Sequence, residues 1–135
     1  MNIKDFAEKY ITAQTEAWLK GKVDTFDELE HSNVVYHIQP MKQDRAGLEG
    51  HKQFLITINK AFTNIKMDWK YLTGEGNLFA VSYSVSAIFT GEFPGAPPPT
   101  GKEVTINEIF LCRLEKGKIA EVWNAGSSTG IRFDQ

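Results

Sequence analysis

Apolar residues in the first half of the chain recur mostly at three- and four-residue steps, the period of an α-helix that buries one face. This spacing predicts an amphipathic helix over residues 3–20 and a short second helix that ends at Leu29. A β-rich segment at residues 33–39 predicts one strand before the next helix. A loop through Arg45 then leads to a third predicted helix from about residue 51 to residue 62.

Beyond residue 62 the apolar period changes to two, which is the spacing of β-strands. A strand around residues 67–71 precedes a long strand over residues 79–89 that has one apolar face and one face of small side chains. Four of the five prolines fall between residues 91 and 101, so this stretch cannot be a central strand. Two last strands, at residues 103–114 and 118–124, would form a hairpin.

This order of elements indicates the α+β class, with a strongly bent antiparallel sheet packed against the preceding helices. A curved sheet that helices close at one side forms a cone, and a cone of this size tends to enclose a pocket. At 135 residues the chain fits a single domain, residues 1–135, which can form a core without disulfides. We therefore expect one domain with an apolar ligand pocket.

Charge and composition exclude several classes of function. The net charge is −2 and Lys and Arg form no cluster, so nucleic-acid binding is not expected. No apolar run approaches the roughly 20 residues that span a bilayer, and the N-terminal residues lack the apolar core of a signal peptide. The single cysteine fits a reducing cytoplasm, and the histidines lack zinc-site spacing. We expect a cytoplasmic protein with no metal, no membrane partner and no nucleic-acid partner.

The chain carries four motifs in order: GLEGHKQF at residues 47–54, FTGEFPG at 89–95, PPTGKEV at 98–104 and GKIAEVW at 117–123. Together they resemble the SnoaL-like polyketide (ester) cyclases of the NTF2-like superfamily. The resemblance implies an α+β cone, often a homodimer, with the ligand between sheet and helices. Family enzymes close a ring by intramolecular aldol chemistry, with an acidic residue as general base and no cofactor or metal. Relatives in the wider superfamily isomerise steroids, hydrate epoxides, dehydrate small phenolics or only bind ligands, so the fold alone does not choose a function.

Two positions depart from the pattern of that family. Asn124 stands directly after the tryptophan of the last strand, where family members often carry the acid that serves as catalytic base. Phe89 stands just before the Thr-Gly-Glu-Phe segment, where a histidine is common. On this resemblance the usual base is missing.

Glu108 is the candidate general base that the residues themselves suggest. It is a carboxylate in an otherwise apolar alternating row of the strand at residues 103–114. Apolar surroundings destabilise the charged form, so the carboxyl pKa would rise towards values useful to a general base. Antiparallel pairing could bring Asn124 of the next strand close, where its amide would hold a developing enolate oxygen. The alternative is a glutamate at the sheet rim that pairs with a lysine.

The remaining candidates are one histidine and a group of aromatic residues. His37 of the first strand could act as a base or hydrogen-bond donor in the pocket, or could lie at the surface or a dimer contact. The candidate pocket walls are Trp18, Phe54, Tyr83, Phe89 and Phe110. Aromatic residues at such spacing also serve simply as core packing, but a buried Tyr83 hydroxyl would need a partner.

These observations favour a cyclase or isomerase that acts on a small apolar carbonyl compound by cofactor-free proton abstraction. Glu108 or His37 would be the base, and Asn124 and Tyr83 would donate hydrogen bonds to the substrate oxygen. One alternative is a non-catalytic ligand-binding protein that has lost the base. Another is an epoxide or ester hydrolase, which would need an Asp-Arg-Asp set, whereas we expect none of the three arginines on an apolar strand face. The proline-rich segment would be either a lid over the pocket or a long connection between strands.

Overall fold

Three helices and six strands make up the part of the chain that the structure, a computed structural model, describes: residues 2–38 and 44–131. The helices are α1 (Ile3–Lys20), α2 (Phe26–Leu29) and α3 (Leu48–Ala61). The strands are β1 (Glu30–Ile38), β2 (Arg45–Ala46), β3 (Phe62–Glu75), β4 (Leu78–Phe89), β5 (Glu103–Glu115) and β6 (Lys118–Thr129). None of the described helices is long and apolar enough to cross a membrane.

The predicted α+β class is confirmed, and the predicted helices and strands are all present. Several strands are longer than expected, and residues 45–46, which were predicted as loop, form the short strand β2. Residue 39, the predicted end of the first strand, and Arg132 lie outside the described residues.

The strands form one sheet in the order β2-β1-β6-β5-β4-β3. Neighbouring strands are antiparallel except β1 and β6, which run parallel. This parallel pair differs from the wholly antiparallel sheet that we expected. It arises because α3 carries the chain to the far edge of the sheet, from which three successive antiparallel pairings return β6 to the side of β1.

Irregular register bends the sheet around the helices. The pairing of β3 with β4 shifts between Thr63 and Lys66 and again between Tyr71 and Thr73. Bulges of this kind bend a strand and increase its twist. Asn64 takes a positive φ of 52° within the first bulge, a backbone conformation that asparagine tolerates better than most residues. The bends let one side of the sheet curve around the helices.

Helix α1 packs its apolar face against this curved side of the sheet, which we call the inner face. Asn2 caps the helix by accepting a hydrogen bond from the Asp5 N–H at 2.8 Å. Gly21 ends it in the left-handed conformation, with φ of 69°. The buried side chains of α1 include Tyr10 and Trp18, and the helix contacts β3 and β4. The hydrophobic core therefore lies between the helices and the inner face.

The proline-rich segment between β4 and β5 is anchored in the core. Phe93 is buried, with its ring centre 5.7 Å from that of Phe54 and 6.4 Å from that of Phe62. The N–H of Phe89 donates to the carbonyl of Lys102 at 3.0 Å, which closes the segment between two paired strands. Its use as a lid stays a prediction.

Candidate active site

Four residues lie side by side across the inner face, one on each of β3, β4, β5 and β6. Trp69 pairs with Tyr83, Tyr83 pairs with Glu108, and Glu108 pairs with Gly126 in the strand register. Because side chains alternate along a strand, residues directly opposite each other point to the same face. The register therefore brings the Glu108 carboxyl next to two aromatic side chains.

Glu108 accepts hydrogen bonds from two neutral side chains. The Tyr83 hydroxyl donates to Oε1, and Asn124 Nδ2 donates to Oε2 at 2.8 Å. The prediction that Asn124 lies near Glu108 is confirmed. Among the described residues, the side-chain partners of Glu108 are a tyrosine and an asparagine and not a lysine, so the alternative of a rim glutamate in an ion pair is wrong.

The surroundings of Glu108 make it a better base than an exposed glutamate. Burial raises its pKa because the charged carboxylate loses solvation. The hydrogen bonds from Tyr83 and Asn124 and the positive charge of Arg45 lower the pKa without cancelling the effect of burial. Burial and the charge of Glu108 raise the pKa of Tyr83 well above its usual value. Tyr83 therefore remains protonated near neutral pH and continues to donate to the carboxylate.

Two buried polar atoms near this row have no hydrogen-bond partner among the described residues. They are Nε1 of Trp69, a donor, and Oδ1 of Asn124, which is an acceptor. The Trp69 ring centre lies 4.6 Å from that of Tyr83. Buried polar groups are hydrogen-bonded in the great majority of proteins. An unpaired donor on β3 and an unpaired acceptor on β6, flanking Glu108, are atoms that a bound polar ligand would satisfy.

Arg45 also enters the inner face, so the expectation that no arginine lies on an apolar strand face is wrong. It pairs with Tyr36 in the β1–β2 ladder. Its guanidinium carbon lies 3.5 Å from the ring centre of Phe54, a predicted pocket wall, and 5.6 Å from that of Tyr36. Burial lowers the pKa of Arg45 to about 10, so the side chain stays cationic at neutral pH. Within the described ranges its guanidinium has no salt bridge or hydrogen bond.

The other predicted pocket walls divide into two groups. Phe110 and Trp18 lie beside Tyr83, with ring centres 5.5 Å and 6.0 Å from the tyrosine ring. Phe89 is buried with its ring centre 5.5 Å from that of Phe62, six positions along β4 from Tyr83. Phe110 and Trp18 therefore adjoin the Glu108 row, while Phe89 packs in a more distant part of the core.

Gly126 is the position on β6 that lets the Glu108 side chain lie flat against the next strand. A Cβ atom at this glycine would stand 2.1 Å from the Asn107 carbonyl oxygen and 2.5 Å from Glu108 Cγ. Both distances are far shorter than van der Waals contact. A side chain at Gly126 would therefore disrupt the β5–β6 pairing and displace the carboxylate.

His37 lies on the outer face of the sheet, so the prediction that it faces the pocket is wrong. It alternates with the buried Tyr36 along β1. Its Nε2 lies 2.6 Å from a Glu121 oxygen, and its Nδ1 lies 2.8 Å from an Asp44 oxygen. The hydrogen bond with Glu121, aided by Asp44, raises the pKa of His37. This arrangement corresponds to the surface histidine that was the alternative.

A groove of about 340 Å³ on the outer surface of β3 to β6 also borders Tyr83 and Glu108. Its other lining residues are mostly outward-pointing small or charged side chains, such as Asp68, Lys70 and Ser82. The Glu108 carboxylate, in contrast, is bound by the buried Tyr83 and Asn124 of the inner face. We therefore assign the candidate site to the inner face.

A profile of SnoaL-like polyketide cyclases matches residues 8–131. The chain belongs to the SnoaL-like polyketide cyclase family. The matched range includes the whole row from Trp69 to Gly126 as well as Arg45, so the candidate site lies within the family domain. Comparison with functionally curated proteins gave no match.

Solved structures share the fold of this SnoaL-like protein at low sequence identity. A candidate SnoaL-like polyketide cyclase from Jannaschia sp. CCS1 superposes with a TM-score of 0.78 at 21% identity, over 92% of this chain and 86% of that chain. An NTF2-like protein from Anabaena variabilis gives 0.73 at 16% identity, over 93% and 90%. AclR, a candidate hydroxylase from Streptomyces galilaeus, gives 0.72 at 19% identity, over 93% and 91%. These likenesses establish an NTF2-like fold and leave the activity to be argued from the site.

In this SnoaL-like protein, the asparagine that follows Trp123 lies beside a carboxylate from the neighbouring strand. The residue after Trp123 is an amide, and the carboxylate comes instead from Glu108 of the neighbouring strand, which Asn124 contacts. An inward carboxylate is therefore present at this end of the sheet although the position after Trp123 lacks one.

A second buried carboxylate belongs to a network that the sequence reasoning missed. Glu30 is 1% exposed, accepts a hydrogen bond from the Tyr36 hydroxyl at 2.6 Å, and lies 2.8 Å from His51 Nδ1. The Tyr36 hydroxyl also lies 2.6 Å from that of Tyr10, to which Gln14 donates at 2.9 Å.

Within the described residues, no group of three or more His, Cys, Asp or Glu side chains is arranged to hold a metal ion.

Proposed function

We propose that this SnoaL-like protein is a cofactor-free acid–base enzyme of the cyclase or isomerase type that acts on a small, largely apolar carbonyl compound. The observation that carries the proposal is Glu108, a partly buried carboxylate with a raised pKa between the unpaired atoms of Trp69 and Asn124. A carboxylate of this kind is suited to remove a proton from carbon near neutral pH. A wholly apolar inner face would instead have favoured a carrier.

Glu108 would remove a proton from the carbon next to the substrate carbonyl. The electron pair of that C–H bond becomes an enolate, whose charge lies mainly on oxygen. The Nε1–H of Trp69, which has no hydrogen-bond partner among the described residues, would donate to this oxygen, and the charge of Arg45 favours the anion. In ring closure the enolate carbon attacks a second carbonyl of the same molecule, and protonated Glu108 returns the proton to the new alkoxide. In isomerisation the proton returns to another carbon.

Tyr83 and Asn124 then have a different role from the one expected. Both donate to Glu108 and so are not free to bind the substrate oxygen through the same hydrogen atoms. We assign them to holding the carboxylate in position and to limiting how far burial raises its pKa. Their hydrogen bonds thus favour the ionised carboxylate, which is the form that accepts a proton.

A non-catalytic ligand-binding protein is the second candidate, and Asn124 at the usual position of the acid favours it. A hydrolase receives partial support because Arg45 enters the inner face. However, the oxygens of the other buried carboxylate, Glu30, are engaged by Tyr36 and His51, which leaves it poorly placed to activate water. The homodimer and the cytoplasmic location stay predictions from the sequence.

Deuterium exchange tests the proposal without knowledge of the natural substrate. The protein is mixed in D₂O with 2-tetralone, a fused-ring ketone with acidic α-protons, and NMR follows the loss of those protons. Wild type should accelerate exchange over buffer, and Glu108→Gln should lower the enzymatic rate by about 100-fold or more. Glu121→Gln, the same substitution on the outer face of β6, should leave the rate unchanged.

Two results would count against the proposal. An E108Q variant that exchanges as fast as wild type would assign the base to another residue. A wild-type protein that binds 2-tetralone but does not accelerate exchange would favour the ligand-binding alternative.

A further inference from the structure

We propose that the ligand of this site carries a carboxylate group that Arg45 binds, so that the substrate class is a small ring-containing oxo acid. The inference rests on the proposed function for the ketone and its position beside Glu108, and it adds the charged group by which the ligand would be selected.

The first observation is that the described contacts of the Arg45 guanidinium are with aromatic rings and not with an anion. It lies partly buried against the rings of Phe54 and Tyr36, 3.5 Å and 5.6 Å from their centres. Among the described residues it has no hydrogen bond and no salt bridge. Stacking on aromatic rings compensates for part of the lost hydration but satisfies none of the five N–H donors. An arginine held in this way is ready to bind an anion.

The second observation is that Arg45 faces the same site as Glu108. Tyr36, beneath the guanidinium, has its ring centre 6.4 Å from that of Phe110, and Phe110 lies 5.5 Å from Tyr83, which donates to Glu108. The positive charge of Arg45 is also felt at the Glu108 carboxyl, whose pKa it lowers. One ligand could therefore reach both side chains across these aromatic rings.

A carboxylate suits Arg45 better than a phosphate does. The planar fork of a guanidinium matches the two oxygens of a carboxylate in a bidentate pair. One guanidinium balances one negative charge, whereas the second charge of a phosphate monoester would face the nearby carboxylate of Glu108 with no described cation to offset it. The aromatic rings around Arg45 and Glu108 favour a flat, unsaturated body between the two polar ends.

The test compares two probes with the same ring system, one of which ends in a carboxylate and the other in a neutral ester. They are 2-naphthoate and its neutral methyl ester, and calorimetry measures their affinities for the full chain. Wild type should bind the carboxylate about tenfold or more tightly than the ester, the range expected for a hydrogen-bonded ion pair. Arg45→Met should abolish this preference, because it weakens the binding of 2-naphthoate and leaves the affinity for the ester unchanged. Arg113→Met, which removes an outer-face arginine paired with Glu121, should keep the preference.

Three outcomes would overturn the proposal: an R45M variant that keeps the preference, a wild-type protein that binds the ester at least as tightly, or no measurable binding of either probe. Far-ultraviolet circular dichroism checks that R45M is folded. If it is not, Arg45→Lys decides the question, since it keeps the charge but loses the fork. The affinity of this variant for 2-naphthoate should be severalfold lower than that of wild type, while its affinity for the ester stays constant. A variant that binds both probes as tightly as wild type does would refute the proposal.

Glu108→Gln separates this inference from the proposed function. Removal of a nearby negative charge should strengthen 2-naphthoate binding, while deuterium exchange of 2-tetralone is lost. A carboxylate preference that depends on Arg45, without exchange activity in wild type, would support the anion site and refute the base. Exchange that depends on Glu108, without a carboxylate preference, would refute the anion site alone.

Discussion

Tyr83→Phe should move the pH dependence of proton abstraction to higher pH, because it removes one of the two side-chain hydrogen bonds to the Glu108 carboxylate. Hydrogen bonds to the ionised form lower the pKa of a carboxyl, so their removal raises it. The same bond also orients Oε1. The substitution keeps the ring, which packs between Trp69, Trp18 and Phe110.

The size of this effect follows from the strength of the bond. A hydrogen bond to a charged group contributes about 1.5–3 kcal/mol, and a tenfold change in an acid dissociation constant corresponds to about 1.4 kcal/mol. The Glu108 pKa in Y83F should therefore be higher than in wild type. Since the base must be ionised, the exchange rate at a pH below both pKa values should fall by about tenfold to 100-fold. At a pH well above the new pKa, the rate should return close to that of wild type.

The assay is deuterium exchange of 2-tetralone from about pH 4 to about pH 10, a range that brackets the usual and the raised carboxyl pKa. A carbon-13 NMR titration of the glutamate carboxyl carbons gives the Glu108 pKa independently of activity. Tyr71→Phe is the matched control, since Tyr71 lies on β3 and its hydroxyl has no hydrogen bond to Glu108. A rate that drops equally at every pH would indicate a packing defect. An unmoved acidic limb would refute the assignment of Glu108 as base.

Two further predictions test the framework around the site. Gly126→Ala should destabilise the fold by about 3 kcal/mol or more in urea unfolding, the upper range for overpacking. Gly50 lies in helix α3 with open space around it, so Gly50→Ala should instead stabilise the fold by roughly 0.5–1 kcal/mol. Equal effects of the two substitutions would contradict the steric clash inferred at Gly126. His37→Gln should leave exchange activity intact and should destabilise the fold only at low pH. The reason is that the pKa of His37 is raised in the folded protein. Protonated His37 therefore stabilises the fold at pH values below the histidine pKa of the unfolded chain, and this stabilisation is lost as the pH rises through the pKa of the folded protein. A large loss of exchange in H37Q would restore His37 as a candidate base.

The architecture could be predicted from the sequence because it depends on periodicity. The change from a helical to an alternating period near residue 62 separates the helices from the strands that follow, and the structure keeps that boundary. The parallel pairing of β1 with β6 has no local signal, because it depends on which edges of a completed sheet meet. Strand β2 has none either, since its two residues are extended only through their pairing with β1.

The candidate site was predicted in part for the same reason. Glu108 is an exception in an alternating apolar row, and Asn124 follows from the register of the next strand, so both were accessible to pattern reasoning. Arg45 was missed because its strand was not recognised. Trp69 lies on an apolar face like many core residues, and only its unpaired Nε1 distinguishes it from them. Gly126 matters through a close approach that requires coordinates.

The two buried carboxylates differ in what surrounds them, and that difference argues for Glu108 as the reactive one. Glu30 is held by Tyr36 and His51 in a network that ties β1 to α3, so its polar atoms are already engaged. Near Glu108, a buried donor on Trp69 and a buried acceptor on Asn124 have no hydrogen-bond partner in the part of the chain that the structure describes. Leaving a buried polar atom unsatisfied costs about 1–3 kcal/mol. Polar groups that one ligand can satisfy mark a binding site more clearly than a saturated network does.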